Sequence, residues 1–477
     1  MLSAWPALLG LAAAADPPSV NKTAREQSPT AMRRQETKAE LHRLTQEARQ
    51  LERARKLPEA IAAGEEATRL ARELEGDASE TVAVWQERLA QLHEVREEWQ
   101  PASQARQDVL ATRTKLYGEK DWRVTDARLA LEQTLRLSQL DVAQRRELAR
   151  VTACNQEIGR RYQKGQIGNA IQLAETVLAI RKQALGEADP QYAESLNNLA
   201  FLYQSRGDDA KAEPLYLQAL AIRKKVLGEA HPDYAESLNN LAALYQSRRD
   251  FTKAELLYRQ ASEIWKHVLG EAHPDYATSL NNLAVLYKSQ GDYAKAEPLY
   301  RQALAIRKKV QGEMHPDYAM DLNNLAELYR SQGDYAKAEP LCRKVLAIRK
   351  QTLGEAHPDY ATSLNNLAEL YRSQGDYVKA EPLCREALAI RKQTLGDAHP
   401  DYAGSLNNLA LLLQATNRLA EAEPLMRRSV IILHQFGRAT GHEPAGMQTV
   451  LKNYRELLTA MRLDQAEITE RLKAATF

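Results

Sequence analysis

The sequence lacks an excess of charge of either sign. Its 477 residues include 65 lysines and arginines against 63 aspartates and glutamates, a formal net charge of only +2. Proteins that bind nucleic acids or anionic membrane surfaces generally carry a large basic excess. We therefore expect neither class of partner. The sequence also lacks a run of about 18 apolar residues, the length that a membrane-spanning helix needs, so we expect no membrane insertion.

Cysteines and aromatic residues are also scarce. Cys154, Cys342 and Cys384 form no CxxC pair and are too few for a disulfide framework. With only 20 tyrosines, 5 tryptophans and 4 phenylalanines, the composition is dominated by residues that favour helices. The chain contains no HExxH, no GxSxG and no glycine-rich phosphate loop. We therefore expect no catalytic residues, no cofactor and no metal site.

The chain does contain a long internal repeat with a period of 42 residues. The block Leu-Asn-Asn-Leu-Ala begins at six evenly spaced positions, which are Leu196, Leu238, Leu280, Leu322, Leu364 and Leu406. A fixed period of this size is typical of a solenoid, in which helical units stack and contact mainly their neighbours. Such an array offers a long surface and no enclosed reaction pocket, so the repeat favours binding over catalysis.

A single unit illustrates how the pattern predicts two helices. Its first apolar residues recur at i, i+3, i+4 and i+7, and are Leu280, Leu283, Ala284 and Tyr287. This spacing predicts a first helix over Asp275–Ser289. Gly291 fits the left-handed residue that ends a helix, and a second helix is predicted over Tyr293–Val310. Pro298, which recurs in five of the six units, should remove one hydrogen bond and bend the second helix.

The order of small and aromatic residues in this unit resembles a known repeat family. The residues that carry the resemblance are Ala284, Tyr287, Gly291, Asp292, Tyr293, Ala296, Tyr300 and Ala303. They resemble the tetratricopeptide repeat, a helix–turn–helix unit of about 34 residues. The longer period, the Leu-Asn-Asn-Leu-Ala opening and the Leu-Gly-x-x-His-Pro-Asp linker resemble the repeats of kinesin light chains. The resemblance implies an all-α fold, a right-handed α-solenoid that binds proteins, and we expect a bacterial relative and not a motor subunit.

The ends of the chain differ in composition from the repeats. Residues 1–15 are apolar and end in small residues, so they are predicted as a possible signal peptide, although the usual basic start is missing. Residues 16–35 are predicted as a disordered linker. We expect export to the periplasm or secretion if residues 1–15 are a signal peptide, and a cytoplasmic location otherwise.

Six regular repeats over residues 186–437 are predicted to lie between less regular flanks. Residues 36–185 are predicted as degenerate repeats of the same type. The alternative is a coiled coil, which Pro58 and Pro101 disfavour because they interrupt any long heptad run. After the repeats, residues 438–446 are predicted as a loop and 447–477 as capping helices.

In tetratricopeptide arrays the first helices line a concave groove, and the resemblance implies the same role here. The first asparagine of each Leu-Asn-Asn block forms a ladder that could bond to the backbone of an extended peptide: Asn197, Asn239, Asn281, Asn323, Asn365 and Asn407. Charged residues on the same helices are predicted to select the partner, and these are Lys288, Glu327, Arg330, Glu369 and Arg372. This set favours a protein or peptide partner that carries acidic residues.

Structural roles would explain the same residues without a ligand. The second asparagine of each pair would bond across the seam between helices, and Glu327 and Arg330 would pair with each other. Gene duplication would also produce a ladder, because residues 319–360 and 361–402 differ at only six positions.

The sequence as a whole predicts a non-enzymatic adaptor that binds a partner segment in the groove. A structural spacer or self-assembling solenoid of the cell envelope is the alternative, followed by a helical nucleic-acid binder. The His-Pro-Asp linkers contain five histidines, which are His231, His273, His315, His357 and His399. Because one full repeat separates each from the next, they cannot share a metal ion. They are predicted to cap helices or to pack in loops.

Overall fold

The computed structural model describes residues 29–441, 443–444 and 446–476. Within these ranges the fold is all-α, as predicted, and contains no strand. The helices are α1 (Pro29–Arg53), α2 (Leu57–Glu75), α3 (Glu80–Val95), α4 (Trp99–Tyr117), α5 (Trp122–Gln139), α6 (Val142–Gln163), α7 (Ile167–Leu185), α8 (Pro190–Ser205), α9 (Asp209–Leu227), α10 (Pro232–Ser247), α11 (Phe251–Leu269), α12 (Pro274–Gln290), α13 (Tyr293–Val310), α14 (Pro316–Gln332), α15 (Tyr335–Leu353), α16 (Pro358–Gln374), α17 (Tyr377–Leu395), α18 (Pro400–Ala415), α19 (Leu419–Thr440), α20 (Met447–Ala460) and α21 (Gln465–Thr476). The predicted signal peptide, residues 1–15, lies outside the described residues.

Two helix ends differ from the sequence prediction. Helix α1 begins at Pro29, so residues 29–35 of the predicted linker are helical. Helix α19 runs beyond Gly437 to Thr440, so the predicted loop is shorter. The left-handed residue that stops this helix is Gly441, with φ of 71°, and the helix continues through Gly437 because nothing breaks it there.

The chain divides into two compact units. One comprises Met1–Gly159 together with Thr176–Tyr192, and the other Arg160–Glu175 together with Ala193–Phe477. No helix in the described part of either unit combines the length and apolar character needed to cross a membrane.

In the first unit, helices α1 to α5 each pack against the next. Leu44 of α1, Leu70 of α2 and Trp85 of α3 are buried together and join these three helices. Ser79 caps α3, since its hydroxyl accepts a hydrogen bond from the Val82 amide. Local caps and apolar faces thus build consecutive helix pairs in this unit.

In the second unit, consecutive helices from α9 to α20 pack against each other. First helices of neighbouring repeats also touch, α12 with α14, α16 with α18, and α18 with α20. One core cluster runs from α10 to α21, and its fully buried members include Tyr300, Leu328, Leu370 and Tyr454. The regular repeats from α10 onwards therefore share a continuous core with the last two helices.

The linker histidines cap the first helices, as predicted. The Nδ1 atom of His273 accepts a hydrogen bond from the Asp275 amide at 3.2 Å, and Pro274 occupies the first turn. The same bond recurs at the start of α10, α14, α16 and α18. Because Nδ1 accepts, the proton of the neutral ring must lie on Nε2. Among the described residues, no group of three or more His, Cys, Asp or Glu side chains is arranged to hold a metal ion.

Candidate partner-binding face

The first helices turn one side towards the core and leave another partly open. In α12 the partly exposed residues recur at i, i+4, i+7 and i+10, and are Thr278, Asn282, Val285 and Lys288. We call the surface formed by these positions of α8, α10, α12, α14, α16 and α18 the first-helix face. It includes Lys288, which the sequence predicted as a contact residue. The ladder asparagine of this helix, Asn281, is buried, with 4% of its surface exposed.

The asparagine pairs connect neighbouring first helices. The Nδ2 group of Asn282 donates to Oδ1 of Asn239 at 2.8 Å, one repeat earlier. The same bond joins Asn324 to Asn281 at 3.1 Å, and Asn366 to Asn323 at 2.7 Å. The seam role considered for the second asparagines is therefore present in the structure. It involves the ladder asparagines too, because they accept these bonds.

Three of the ladder asparagines make other contacts. Asn197 and Asn365 are buried and donate to the hydroxyls of Ser237 and Ser405, each at 3.0 Å. Asn407 accepts a hydrogen bond from Asn453 of α20 at 2.9 Å, which extends the seam past the last regular repeat. The amides of the ladder thus contribute to the stacking of repeats.

Charged side chains on the first-helix face form a connected series across α12, α14 and α16. We call this series the ion ladder, and its members in order are Lys288, Glu327, Arg330, Glu369 and Arg372. The shortest nitrogen–oxygen distances between successive members are 3.5, 2.7, 3.5 and 2.6 Å. Their side chains are between 25% and 37% exposed, so a ligand could reach them.

The ion ladder is half-buried, and the contacts between its members change their pKa values. Burial would raise the pKa of Glu327, but the hydrogen bond from Arg330 and the charge of Lys288 outweigh it and hold that pKa below its usual range. The hydrogen bond to Glu369 raises the pKa of Arg372. Burial lowers the pKa of Lys288, because a cation loses hydration there. Three cations and two carboxylates leave an excess of one positive charge.

The rest of the first-helix face differs from repeat to repeat. At the position of Glu327, the earlier repeats carry Phe201, Ala243 and Val285, and the last carries Leu411. Phe201 is 47% exposed and its ring lies 5.3 Å from that of Tyr162. Sequence reasoning missed Met320, which is 42% exposed on α14 where neighbouring repeats have threonine. Comparing the six units position by position would have revealed it.

A coupling between this face and the core was also missed. In two repeats a buried tyrosine hydroxyl donates to a first-helix glutamine, Tyr216 to Gln204 at 3.1 Å and Tyr258 to Gln246 at 3.0 Å. Where the glutamine becomes arginine in the ion ladder, the tyrosine becomes a buried, unpaired cysteine, at Cys342 and Cys384.

Models of known protein families match the repeats of this chain. A tetratricopeptide repeat model matches residues 161–225, 198–266, 233–309, 318–392 and 359–432, and a second one matches residues 282–351. Together these segments span more than half of the chain. The chain belongs to the tetratricopeptide repeat family. Proteins built from these repeats generally mediate protein–protein interactions, which agrees with the coarse function predicted from the sequence.

Solved structures of similar chains include proteins described as kinesin light chains. A putative kinesin light chain from Podosopora anserina with nearly identical repeats is 31% identical, over 43% of this chain and 97% of that one, with a TM-score of 0.38. BtubC (BKLC) from P. vanneervenii is 29% identical, over 54% of this chain and 94% of that one, with a TM-score of 0.39. The repeats are therefore kinesin light chain-like, as predicted.

A tetratricopeptide repeat protein from Parabacteroides merdae is more distant. It is 18% identical, over 60% of this chain and all of that one, with a TM-score of 0.35. No curated protein matches the chain.

Proposed function

We propose that this protein is a non-enzymatic adaptor that binds an extended, acidic segment of a protein partner on its first-helix face. The observation that supports this most is the ion ladder, which concentrates charge on that face. The proposed contact residues are the ladder asparagines together with the ion ladder: Asn197, Asn239, Asn281, Lys288, Asn323, Glu327, Arg330, Asn365, Glu369, Arg372 and Asn407.

The ion ladder would recognise carboxylates for a physical reason. Its two ends, Lys288 and Arg372, are both cations, so each has a carboxylate neighbour on one side only. A partner carboxylate that approaches either end meets an excess of positive charge in a partly dehydrated site, where salt screens it less than on an open surface. The guanidinium of Arg372 also has the planar donor geometry that suits a carboxylate.

The asparagines would have a more limited part. In the seam, the Oδ1 atoms of Asn239, Asn281 and Asn323 already accept hydrogen bonds from the second asparagines of the next repeat. A bound segment would therefore add bonds to side chains that the stacking already holds in place. Such preorganised groups lose little conformational entropy on binding, which favours affinity.

Substitution of the arginines tests this proposal without disturbing the core. In the variant Arg330→Gln/Arg372→Gln, glutamine replaces arginine at a position where three other repeats already carry it, so the fold should persist. Peptides selected by display on the full chain should be rich in Asp and Glu. We expect their affinity, measured by fluorescence anisotropy, to fall about tenfold or more in this variant, because two charge-assisted contacts are lost.

A matched control removes two arginines from the second helices. Arg343 and Arg385 are 59% and 52% exposed and pair with glutamates of their own helices. The variant Arg343→Gln/Arg385→Gln should bind the same peptides with less than a threefold change. Equal binding by the intact chain and the Arg330→Gln/Arg372→Gln variant would contradict the proposal. Absence of any selected peptide, together with light scattering that rises with concentration, would favour the self-assembling spacer.

A further inference from the structure

One core position is serine in five of the six regular repeats and aspartate in the remaining one, the fourth. Its members are Ser195, Ser237, Ser279, Asp321, Ser363 and Ser405. In three of the serine repeats the hydroxyl lies 3.0 Å from an arginine of the preceding second helix, which donates to it. The serine position is therefore part of the junction between one repeat and the next.

Asp321 turns this neutral contact into a buried ion pair. Its Oδ2 atom lies 2.6 Å from Nε of Arg307, and the two side chains are 0% and 2% exposed. Arg307 also donates to the carboxylate of Asp317 at 2.8 Å, and to the hydroxyl of Thr278 at 2.9 Å. One guanidinium of α13 is thus shared between two carboxylates of α14.

The pairing of Asp321 is incomplete. Its second oxygen, Oδ1, is buried and has no hydrogen-bond partner among the described residues. An ionised oxygen in that state has lost its hydration without replacement, which is costly. A proton on the carboxyl group would remove the charge and supply a donor. The geometry therefore favours the protonated form of Asp321 more than a solvent-exposed position would favour it.

The charged and titratable groups around Asp321 act in opposite directions. Burial raises the pKa of Asp321 to about 6, against the opposing attraction of Arg307, and the negative charge of Asp317 adds to the rise. The nearby phenol of Tyr300 on α13 has a raised pKa, mainly from burial and partly from the Asp321 charge. His315 lies in the linker, with Nδ1 3.7 Å from the carboxylate of Asp317.

We propose that the α13–α14 junction is a pH-responsive joint, which is tightest when Asp321 is protonated and loosens when Asp321 ionises. When the junction opens, the carboxyl group of Asp321 is exposed to water and its pKa returns to the ordinary value near 3.8. The closed junction binds the proton more tightly than the open one. Protonation therefore stabilises the closed junction fully at pH values below 3.8, and this stabilisation is lost as the pH rises through about 6. From these two values the opening equilibrium should increase about tenfold between pH 5 and pH 8.

The effect should stay local to the junction. Repeats in such arrays contact mainly their neighbours, so a change in one interface alters opening there before it alters the whole chain. The neighbouring junction between α15 and α16 is a natural reference, because Arg349 donates there to the neutral hydroxyl of Ser363. Linker histidines occur at both junctions, at His315 and His357, so the two junctions are matched in this respect.

Hydrogen exchange measured by mass spectrometry on the full chain would test this proposal. Protection of peptides from the end of α13 and from α14 is compared at pH 5, 6, 7 and 8, after correction for the intrinsic exchange rate at each pH. In the natural chain protection should fall about tenfold more across this range than in Asp321→Ser, which restores the residue of the other repeats. An identical pH profile in the two proteins would overturn the proposal.

The reverse substitution provides a second, independent measurement. Ser363→Asp places a carboxyl group beside Arg349, at the equivalent position of the α15–α16 junction. Peptides from α15 and α16 should then acquire the pH dependence that the natural chain shows only at α13–α14. If Ser363→Asp unfolds the chain, the comparison of Asp321→Ser with the natural chain still decides the question.

Discussion

Single residues at the repeat boundaries determine where each first helix starts. Each linker histidine accepts the amide of the aspartate two residues later, and the intervening proline needs no partner in the first turn. An imidazole nitrogen here performs the task that Ser, Asp or Asn usually performs. The capping role could be predicted from the sequence because the residues involved lie within three positions of each other.

A substitution at one cap tests this role. His357→Ala removes the acceptor of the Asp359 amide, which lies 3.1 Å from Nδ1. We expect a local loss of about 1 kcal/mol, so exchange of the first-turn amides of α16 should be roughly fivefold faster. His357→Asn keeps an acceptor and should show a smaller change. Equal exchange in the alanine variant and the natural chain would show that the ring nitrogen contributes nothing.

The contacts that hold the two helices of a repeat together differ between repeats. The Gln246–Tyr258 bond joins α10 to α11, whereas α14 and α15 carry Arg330 and Cys342 at the same positions. The smaller cysteine accompanies the larger arginine, and the arginine belongs to the ion ladder. The composition of the binding face is thus linked to the packing of the core beneath it.

A double-mutant cycle measures this link. Arg330→Gln and Cys342→Tyr, made together, should restore the glutamine–tyrosine bond of the earlier repeats. Cys342→Tyr alone should destabilise the chain, because a larger side chain enters a buried site beside arginine. The coupling energy from urea unfolding should be about 1 kcal/mol in favour of the double variant. Additive effects of the two changes would mean that the positions act independently.

At the scale of the whole molecule, the regular repeats are nearly interchangeable. Residues 319–360 and 361–402 differ at six positions. Arg349 and Arg391 make matching contacts at the two junctions, because each donates to the backbone and to a serine hydroxyl of the following first helix. Removing one complete unit would bring equivalent surfaces together. Arg349, for example, would meet Ser405 in place of Ser363.

Deletion of residues 361–402 should therefore give a folded protein. We expect unchanged helicity per residue in circular dichroism and a lower unfolding midpoint, because one repeat and one interface are lost. A deletion of 21 residues from the same region would bring together surfaces that do not match, and should unfold the neighbouring repeats. Equal behaviour of the two deletions would contradict this additive description.

The sequence by itself determined the helices, their caps and the repeat family. Helix α13 spans Tyr293–Val310, as predicted, because periodicity, glycine turns and caps act over a few residues. The sequence also suggested that Glu327 and Arg330 pair, since they lie three apart on one helix.

Only the tertiary structure decided which of these residues meet across repeats. Asn282 and Asn239 are 43 positions apart, and Arg330 and Glu369 are 39 apart. No local pattern distinguishes such a contact from an exposed side chain, because the register of one helix against the next depends on packing throughout the core. For the same reason the sequence shows an unusual Asp321, whereas its burial and its missing partner follow from the stacking of α13 and α14.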